Sequence, residues 1–151
     1  METRLNVYEQ GLKAIKMLRG IGAYLRESTI GAGLREMICI RVSQINNCMF
    51  CIDIHYREAR ANGETDQRLH DLSAWREKPW YDAREKAAMA LAEAITNCKV
   101  PDIVYSNARK HFSDEELVDL TLTVTTINTW NRINNVFVNK RGIYQVCQFE
   151  L

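Results

Sequence analysis

Proline, long apolar runs and an excess of charge of one sign are all scarce in this sequence. Its only prolines are Pro79 and Pro101, so helix-breaking positions are few. No apolar run approaches the roughly 20 residues of a membrane span, which argues against a membrane helix. Twenty basic and nineteen acidic side chains nearly cancel and are interleaved along the chain, so the basic stripe that nucleic acid requires is missing. We expect neither a membrane nor nucleic acid as a partner.

The beginning of the chain also lacks the apolar core of a secretory signal peptide, and we expect a cytoplasmic protein. At 151 residues the chain is long enough to bury a core but has no room for a second catalytic module. The sequence therefore predicts a single domain spanning residues 1–151.

An even, regularly spaced set of cysteines is missing too. The five cysteines are an odd number without an export signal, which argues against a structural disulfide framework: Cys39, Cys48, Cys51, Cys98 and Cys147. We interpret three of them, Cys39, Cys98 and Cys147, as buried or idle thiols. Cys48 and Cys51 are close neighbours. In a reducing compartment this spacing indicates redox chemistry or metal binding more often than a structural disulfide.

Helical periodicity dominates what is present, and it predicts an all-α bundle of about six or seven helices. The first helix is predicted over Asn6–Leu25, with a buried side of Val7, Leu12, Ile15, Leu18 and Ile21. Glycines at 31 and 33 separate it from a second helix, whose apolar stripe runs from Leu34 to Ile45. A third helix begins at or near Cys48 and stops at Asn62-Gly63.

The second half of the chain carries two capping boxes. Asp82 with Glu85 starts a helix that runs to about Thr96, after a short helical stretch at Asp66–Trp75 and a turn at Lys78–Tyr81. Pro101 opens a helix through roughly His111. Ser113 with Glu116, reinforced by a Phe112–Leu117 staple, starts a long last helix toward Val138. The β-branched run Thr121–Thr126 reads as strand in isolation, but this cap and the flanking helical pattern outweigh it.

The chemistry is concentrated in the third helix. Cys48, Cys51 and His55 stand at i, i+3 and i+7, so they lie along one stripe, with Cys51 and His55 one turn apart. The helix dipole at the N-terminus favours a thiolate at Cys48, and a neighbouring imidazole can remove or share a thiol proton. Both effects predict a reactive thiol.

Four other interpretations of this stripe compete with dithiol redox chemistry. A c-type haem site needs histidine directly after the second cysteine, whereas here it follows four residues later. Structural zinc needs four ligands, and beyond these three only scattered candidates such as His70 and His111 remain. A thioredoxin-like domain needs a strand before Cys48, where the pattern is helical. A purely structural interpretation, in which two cysteines and a histidine are simply buried in the core, has about the same weight as zinc. Dithiol redox chemistry fits the stripe best.

Around this stripe the sequence resembles the AhpD-like (alkylhydroperoxidase D) branch of the carboxymuconolactone decarboxylase superfamily. The resemblance spans nearly the whole chain and is carried by residues 41–51, His55, Ala59-Arg60, Gly63, 74–76, 84–88, 93–96, 111–113 and 127–132. It implies an AhpD-like helical fold, a homo-oligomer and a redox-active Cys-x-x-Cys that reduces peroxides. It also implies that a glutamate twelve residues before the first cysteine, here Glu36, joins the cysteines and the histidine in a proton relay.

Helix geometry offers an independent check on Glu36. If the second and third helices form an antiparallel hairpin about Asn46-Asn47, Glu36 lies level with Arg57 or Glu58, within a few ångströms of His55 along the axis at ~1.5 Å per residue. The alternative, that Glu36 is an ordinary solvated charge, stays open. We take nearby Glu58 to be mainly solvated, and we interpret the polar block 128–132 as a buried hydrogen-bond network or a subunit contact.

These observations predict a thiol peroxidase that acts on organic hydroperoxides or hydrogen peroxide and is reset by an external dithiol or thiol reductant. Neither a cofactor nor a metal is expected, and the predicted catalytic residues are Cys48, Cys51, His55 and Glu36. We assign Cys51 as the attacking thiol because His55 is one turn away, although the helix dipole favours Cys48. A lactone decarboxylase of the same superfamily and a non-catalytic, oligomeric redox sensor remain alternatives.

Overall fold

The computed structural model describes residues 4–137 and 145–146, and it is built from helices. These residues hold eight α-helices, with a 3-10 turn at Asp71–Ala74 between the fifth and the sixth. The helices are α1 (Val7–Gln10), α2 (Leu12–Arg26), α3 (Ala32–Ile45), α4 (Met49–Ala61), α5 (Asp66–His70), α6 (Ala83–Thr96), α7 (Asp102–Ala108) and α8 (Asp114–Phe137). The all-α prediction is confirmed. Among the described residues, no helix is long and apolar enough to cross a membrane.

The predicted first helix is interrupted near its start. Gly11 separates α1 from α2, and a Cβ at this position would lie 2.9 Å from the Val7 carbonyl oxygen. The buried side was also predicted too broadly: Ile15 is buried, but Leu12 is 50% exposed and Ile21 is exposed as well. The reason is that, among the described helices, α2 packs mainly against α8, which leaves much of its apolar stripe uncovered by them.

Both predicted capping boxes are present. At α6 the Glu85 backbone N–H donates to Asp82 Oδ1 at 2.8 Å, and the Asp82 N–H donates to Glu85 Oε2 at 2.9 Å. At α8 Ser113 and Glu116 exchange the same pair of bonds, at 2.9 and 3.1 Å. Each box satisfies two of the backbone N–H groups that a helix start leaves unpaired, which is why these two helices begin where the sequence predicts.

The threonine-rich part of α8 is helical, as predicted. Its hydroxyls donate to backbone carbonyls one turn earlier, Thr121 to Leu117 at 2.8 Å and Thr123 to Asp119 at 2.8 Å. These bonds satisfy the hydroxyls inside the helix, which lets a β-branched run sit in it. The predicted end at Val138 lies outside the described residues, as does Cys147.

Helix α3 is the centre of the fold. It packs against α4, α6 and α8, and its side chains Met37, Ile38, Ile40 and Val42 are almost completely buried. Helix α4 returns along α3 after a short turn at Asn46-Asn47, so the predicted hairpin is confirmed. Asn47 takes the left-handed conformation, with φ of 54°, which asparagine tolerates better than most residues. The turn places Cys48 at the N-cap of α4.

Candidate active site

The two cysteines occupy the start of α4. Cys48 is the N-cap residue, and its backbone N–H donates to the Ser43 carbonyl at 2.9 Å. Cys51 lies in the first turn, 5.4 Å away between Cα atoms, and the two sulfurs are at disulfide-bonding distance. Both side chains are buried, with 1% and 2% exposure. The pair can therefore cycle between dithiol and disulfide with little change in backbone position.

A network of asparagines holds the turn that precedes Cys48. Asn46 Nδ2 donates to the side-chain oxygens of Asn128 and Asn131, both at 2.9 Å, and Asn131 Nδ2 donates to Ser43 Oγ at 2.9 Å. Asn135 Nδ2 donates to the Asn46 carbonyl at 3.0 Å. The polar block of α8 thus forms a hydrogen-bond network, one of the two possibilities that we predicted, and this network is buried at Asn131 and Ser43 and partly exposed elsewhere. Its effect is to fix the turn, and with it the direction of the first turn of α4.

Glu36 and His55 meet across the α3–α4 hairpin. His55 Nδ1 lies 2.7 Å from Glu36 Oε2, while the Arg35 guanidinium contacts Glu36 Oε1 at 3.2 Å and donates to the Leu25 carbonyl at 3.2 Å. Glu36 is only 5% exposed, so it is not the solvated charge that remained an alternative. The structure therefore places all four residues predicted for the site in the α3–α4 hairpin, with Glu36 in direct contact with His55.

The electrostatics of Glu36 follow from these contacts. Burial alone raises the pKa of the Glu36 carboxyl, but the charges of His55 and Arg35 and their hydrogen bonds outweigh burial and hold the pKa below its ordinary value of 4.5. The group is consequently a carboxylate throughout the neutral range. Its contact with Nδ1 also fixes the orientation of the His55 ring.

A further contact to Cys51 comes from α8, and the sequence analysis missed it. Asn134 is buried and its Nδ2 donates to Cys51 Sγ at 3.3 Å. The Tyr8 hydroxyl donates to Asn134 Oδ1 at 3.0 Å, an arrangement that turns the amide nitrogen toward the sulfur. A usable signal was present, because Asn134 continues the buried i, i+3, i+4 stripe of Ile127 and Asn131.

We expect Asn134→Leu to slow alkylation of reduced Cys51 near neutral pH by about tenfold, since one hydrogen bond to the thiolate is lost. Tyr8→Phe should slow it less, because the amide keeps its nitrogen but loses the partner that orients it. The measurement is the iodoacetamide rate of each reduced variant, with circular dichroism as the folding control. An Asn134→Leu rate equal to that of the wild type would show that the contact does not stabilise the thiolate.

The site opens into a cavity of about 430 Å³ that the described parts of α2, α3, α4 and α8 enclose. Cys51, His55 and Glu36 line one side of it, and apolar side chains such as Phe50, Ile54 and Trp130 line much of the rest. Cys48 is not among the described residues that line it. A ligand in the cavity would therefore meet the sulfur of Cys51 first.

Glu58 and Cys39 also lie at the cavity. Glu58 is half-buried and lines the same cavity, so the interpretation of it as mainly solvated is wrong; it lies on the side of α4 that faces α2 and α8. Cys39 is buried, as predicted, and it also lines the cavity. Burial raises the pKa of the Cys39 thiol well above its usual range, so this thiol stays protonated. Cys98 is exposed.

The geometry of the site distinguishes between the other interpretations of the Cys48, Cys51 and His55 stripe. Within residues 4–137 and 145–146, no group of three or more histidine, cysteine, aspartate or glutamate side chains is arranged to hold a metal ion. The segment before Cys48 is helix α3 rather than the strand that a thioredoxin-like domain needs. Cys48 and Cys51 are buried, as expected if they were only core residues. Cys51, however, also lines a cavity together with the paired His55 and Glu36.

The chain has recognisable relatives. A family model described as the carboxymuconolactone decarboxylase family matches residues 12–94, the segment that contains Glu36, Cys48, Cys51 and His55. The chain is 43% identical to YdfG, an uncharacterized protein of Bacillus subtilis, over 93% of this chain and 97% of the relative. It is also 26% identical over 112 residues to YnjA, an uncharacterized protein of Escherichia coli, covering 73% of this chain and 62% of that one.

Solved structures share the fold. A protein of unknown function from Agrobacterium tumefaciens, described as a candidate AhpD antioxidant defence protein, superposes with a TM-score of 0.89 at 34% identity, over 95% of this chain and 100% of its own. The debrominase Bmp8 superposes with a TM-score of 0.81 over 89% of this chain and 74% of its own, but at 15% identity. The second likeness concerns the fold alone.

Proposed function

The chain belongs to the AhpD-like branch of the carboxymuconolactone decarboxylase family, and on that basis we propose that it is a thiol peroxidase. Its proposed substrates are organic hydroperoxides or hydrogen peroxide, reduced by Cys48 and Cys51. One observation carries the proposal: Cys51 lines a cavity together with a His55–Glu36 pair at 2.7 Å. A nucleophile, a base and a group that orients the base thus lie around one space large enough for a substrate.

Proton transfer would begin at Cys51. His55, one turn along α4, takes the thiol proton, directly or through a water molecule, and becomes an imidazolium. The Glu36 carboxylate, whose pKa is held below its ordinary value, stabilises that imidazolium at neutral pH. Asn134 donates to the sulfur that has become negative. The thiolate is the reactive form of cysteine, so these three residues together would raise the rate of attack.

The peroxide step then follows with Cys51 as nucleophile. Its sulfur forms a bond with the terminal oxygen of the hydroperoxide while the O–O bond breaks, which oxidises the sulfur to a sulfenic acid. The leaving alkoxide takes the proton from His55 and departs as an alcohol. The Cys48 thiol next attacks the sulfur of Cys51, an S–S bond forms and water leaves. An external dithiol reduces the disulfide by thiol–disulfide exchange and completes the cycle.

The choice between the two cysteines rests on position. Cys48 is the N-cap residue and Cys51 lies in the first turn of α4, so the helix dipole acts on both and does not favour Cys48 alone. Cys51 lines the cavity, accepts a hydrogen bond from Asn134 and is one turn from His55. Cys48 is 1% exposed beneath it, which suits a thiol that reacts only with its neighbour.

We expect the reduced wild type to consume many equivalents of cumene hydroperoxide per chain when dithiothreitol is present. Non-reducing peptide mapping after peroxide treatment should find a Cys48–Cys51 disulfide, with Cys39, Cys98 and Cys147 still open to alkylation. Cys48 and Cys51 are close enough to form the disulfide with each other, so no third cysteine is needed. The readouts are loss of peroxide and the map of alkylated peptides.

Three outcomes would contradict this expectation, each in its own way. Consumption of a single equivalent without turnover would favour the redox sensor. No reaction with peroxide together with decarboxylation of a lactone would favour the lactone decarboxylase. A dominant bridge that involves Cys39, Cys98 or Cys147 would refute the assignment of the redox pair.

A further inference from the structure

The cavity is much larger than hydrogen peroxide requires. It measures about 430 Å³, within the range of roughly 300–1,000 Å³ that is usual for pockets that bind organic ligands. Hydrogen peroxide has about the bulk of two water molecules, each of which needs only roughly 15 Å³ of such space. Leu18, Leu25, Phe50 and Ile54 line the cavity, so the space beyond the sulfur is suited to an apolar body.

One face of α2 adds positive charge to this space. Arg19, Gly22 and Arg26 recur at i, i+3 and i+7, and all three line the cavity. A Cβ on Gly22 would have no heavy atom within 4 Å, so the wall between the two arginines is open rather than filled. The helix thereby presents two guanidinium groups with free volume between them.

The charges around the cavity do not cancel. Three arginines, Arg19, Arg26 and Arg35, share it with the two carboxylates of Glu36 and Glu58. Arg35 is already engaged with Glu36 and the Leu25 carbonyl. Arg26 is exposed, and no hydrogen bond or ion pair joins it to the described residues. Glu58 offsets part of the remaining charge, but Arg26, at the solvent side of the cavity, is left without an ion partner among the described residues.

We infer that the cavity selects hydroperoxides of amphipathic carboxylic acids, of which fatty-acid hydroperoxides are the simplest. The hydroperoxide group lies at Cys51, the apolar body lies against Phe50 and Ile54, and the carboxylate is bound by Arg26 with Arg19 beside it. This inference rests on the proposed peroxidase function and adds the substrate class. The chemistry is unchanged: the hydroperoxide is reduced to the corresponding hydroxy acid, and the external dithiol supplies the electrons.

The position of Arg26 suits a carboxylate for a physical reason. A carboxylate loses much free energy when it is fully removed from water without a partner, whereas at an exposed arginine it keeps part of its hydration and gains a charge-assisted hydrogen bond. The apolar body of the same molecule gains free energy from burial in the inner cavity. The two ends of the cavity therefore match the two ends of an amphipathic acid.

The test compares linoleic acid hydroperoxide with its methyl ester, below their micelle concentrations, with dithiothreitol as reductant. The two substrates differ only at one end, where the ester carries a methyl group and no charge. The change in the ratio of their kcat/KM values between wild type and Arg26 variants therefore reports the contribution of the carboxylate. We expect wild type to favour the acid about fivefold, a modest value because the pair is partly exposed. Arg26→Gln should bring the ratio near one, and Arg26→Lys should restore part of the preference.

Lys16→Gln is the matched control, because it removes the same charge from the same helix at an exposed position that is not among the residues lining the cavity. Its acid-to-ester ratio should equal that of the wild type. A wild-type ratio of one, or a ratio that Arg26→Gln leaves unchanged, would overturn this inference while turnover of cumene hydroperoxide upheld the peroxidase function. Absence of turnover with any hydroperoxide would refute the function itself, and this inference with it.

Discussion

Cys51→Ser should abolish catalytic consumption of peroxide, with a loss on the order of 10³-fold or more in kcat/KM. A serine hydroxyl is not ionised near neutral pH and cannot take up the oxygen that a thiolate accepts. Because serine is close in size to cysteine, the buried site should keep its fold. Peroxide loss in the presence of dithiothreitol measures the effect, and Cys98→Ser, which replaces an exposed thiol, should retain wild-type turnover.

Cys48→Ser separates attack from resolution. In this variant Cys51 can still react once, but the sulfenic acid has no neighbouring thiol with which to condense. We expect one equivalent of peroxide to be consumed in the absence of reductant and a dimedone adduct to form on Cys51, located by mass spectrometry. A sulfenic acid on Cys48 in the Cys51→Ser variant, with none on Cys51 in the Cys48→Ser variant, would reverse the assigned roles.

Glu36→Gln is expected to lower the reactivity of the thiol near neutral pH by on the order of 10²-fold, the usual effect of one positioned proton-transfer group. The amide keeps the size and can keep the hydrogen bond to His55, but it cannot stabilise an imidazolium by charge. The measurement is the alkylation rate of the reduced protein as a function of pH, with circular dichroism to verify the fold.

The pH profile has a definite sign. Since the pKa of Glu36 lies below its ordinary value of 4.5, the carboxylate keeps its charge down to that region and loses it only as the pH falls through the lowered pKa. The wild type should therefore react faster than Glu36→Gln from the neutral range down to the lowered pKa of Glu36. The two rates should converge below that pKa, and also at alkaline pH, where the thiol is ionised in both proteins.

The control must be a glutamate outside the cavity. Glu58 does not qualify because it lines the cavity, whereas Glu77 is exposed and does not line it. Glu77→Gln should react at the wild-type rate. Equal rates for the wild type, Glu36→Gln and Glu77→Gln would leave His55 as the only base and make Glu36 a structural partner of Arg35 and His55.

Much of the molecule could be predicted from the sequence, because the signals involved are local. Cap residues, glycines and the 3.6-residue apolar period act within one or two turns, and they located α6, α8 and the start of α4. The stripe of Cys48, Cys51 and His55 follows from helix spacing alone. Glu36 was implied by the family resemblance, and the tight turn at Asn46-Asn47 supported it because such a turn leaves little freedom in how α3 and α4 align.

Contacts between distant elements were decided only by the tertiary structure. Asn134 and Tyr8 lie 83 and 43 residues from Cys51 in sequence. The contact of Asn134 with the Cys51 sulfur, and that of Tyr8 with Asn134, depend on how α8 and α1 pack around the hairpin. The same holds for Arg26, for Glu58 and for the side of the cysteine pair that faces the cavity. Helix geometry determines which side chains share a face, but burial of apolar surface among all the helices decides which faces meet. The sequence by itself therefore determined the helices and the reactive stripe, and packing determined what surrounds that stripe.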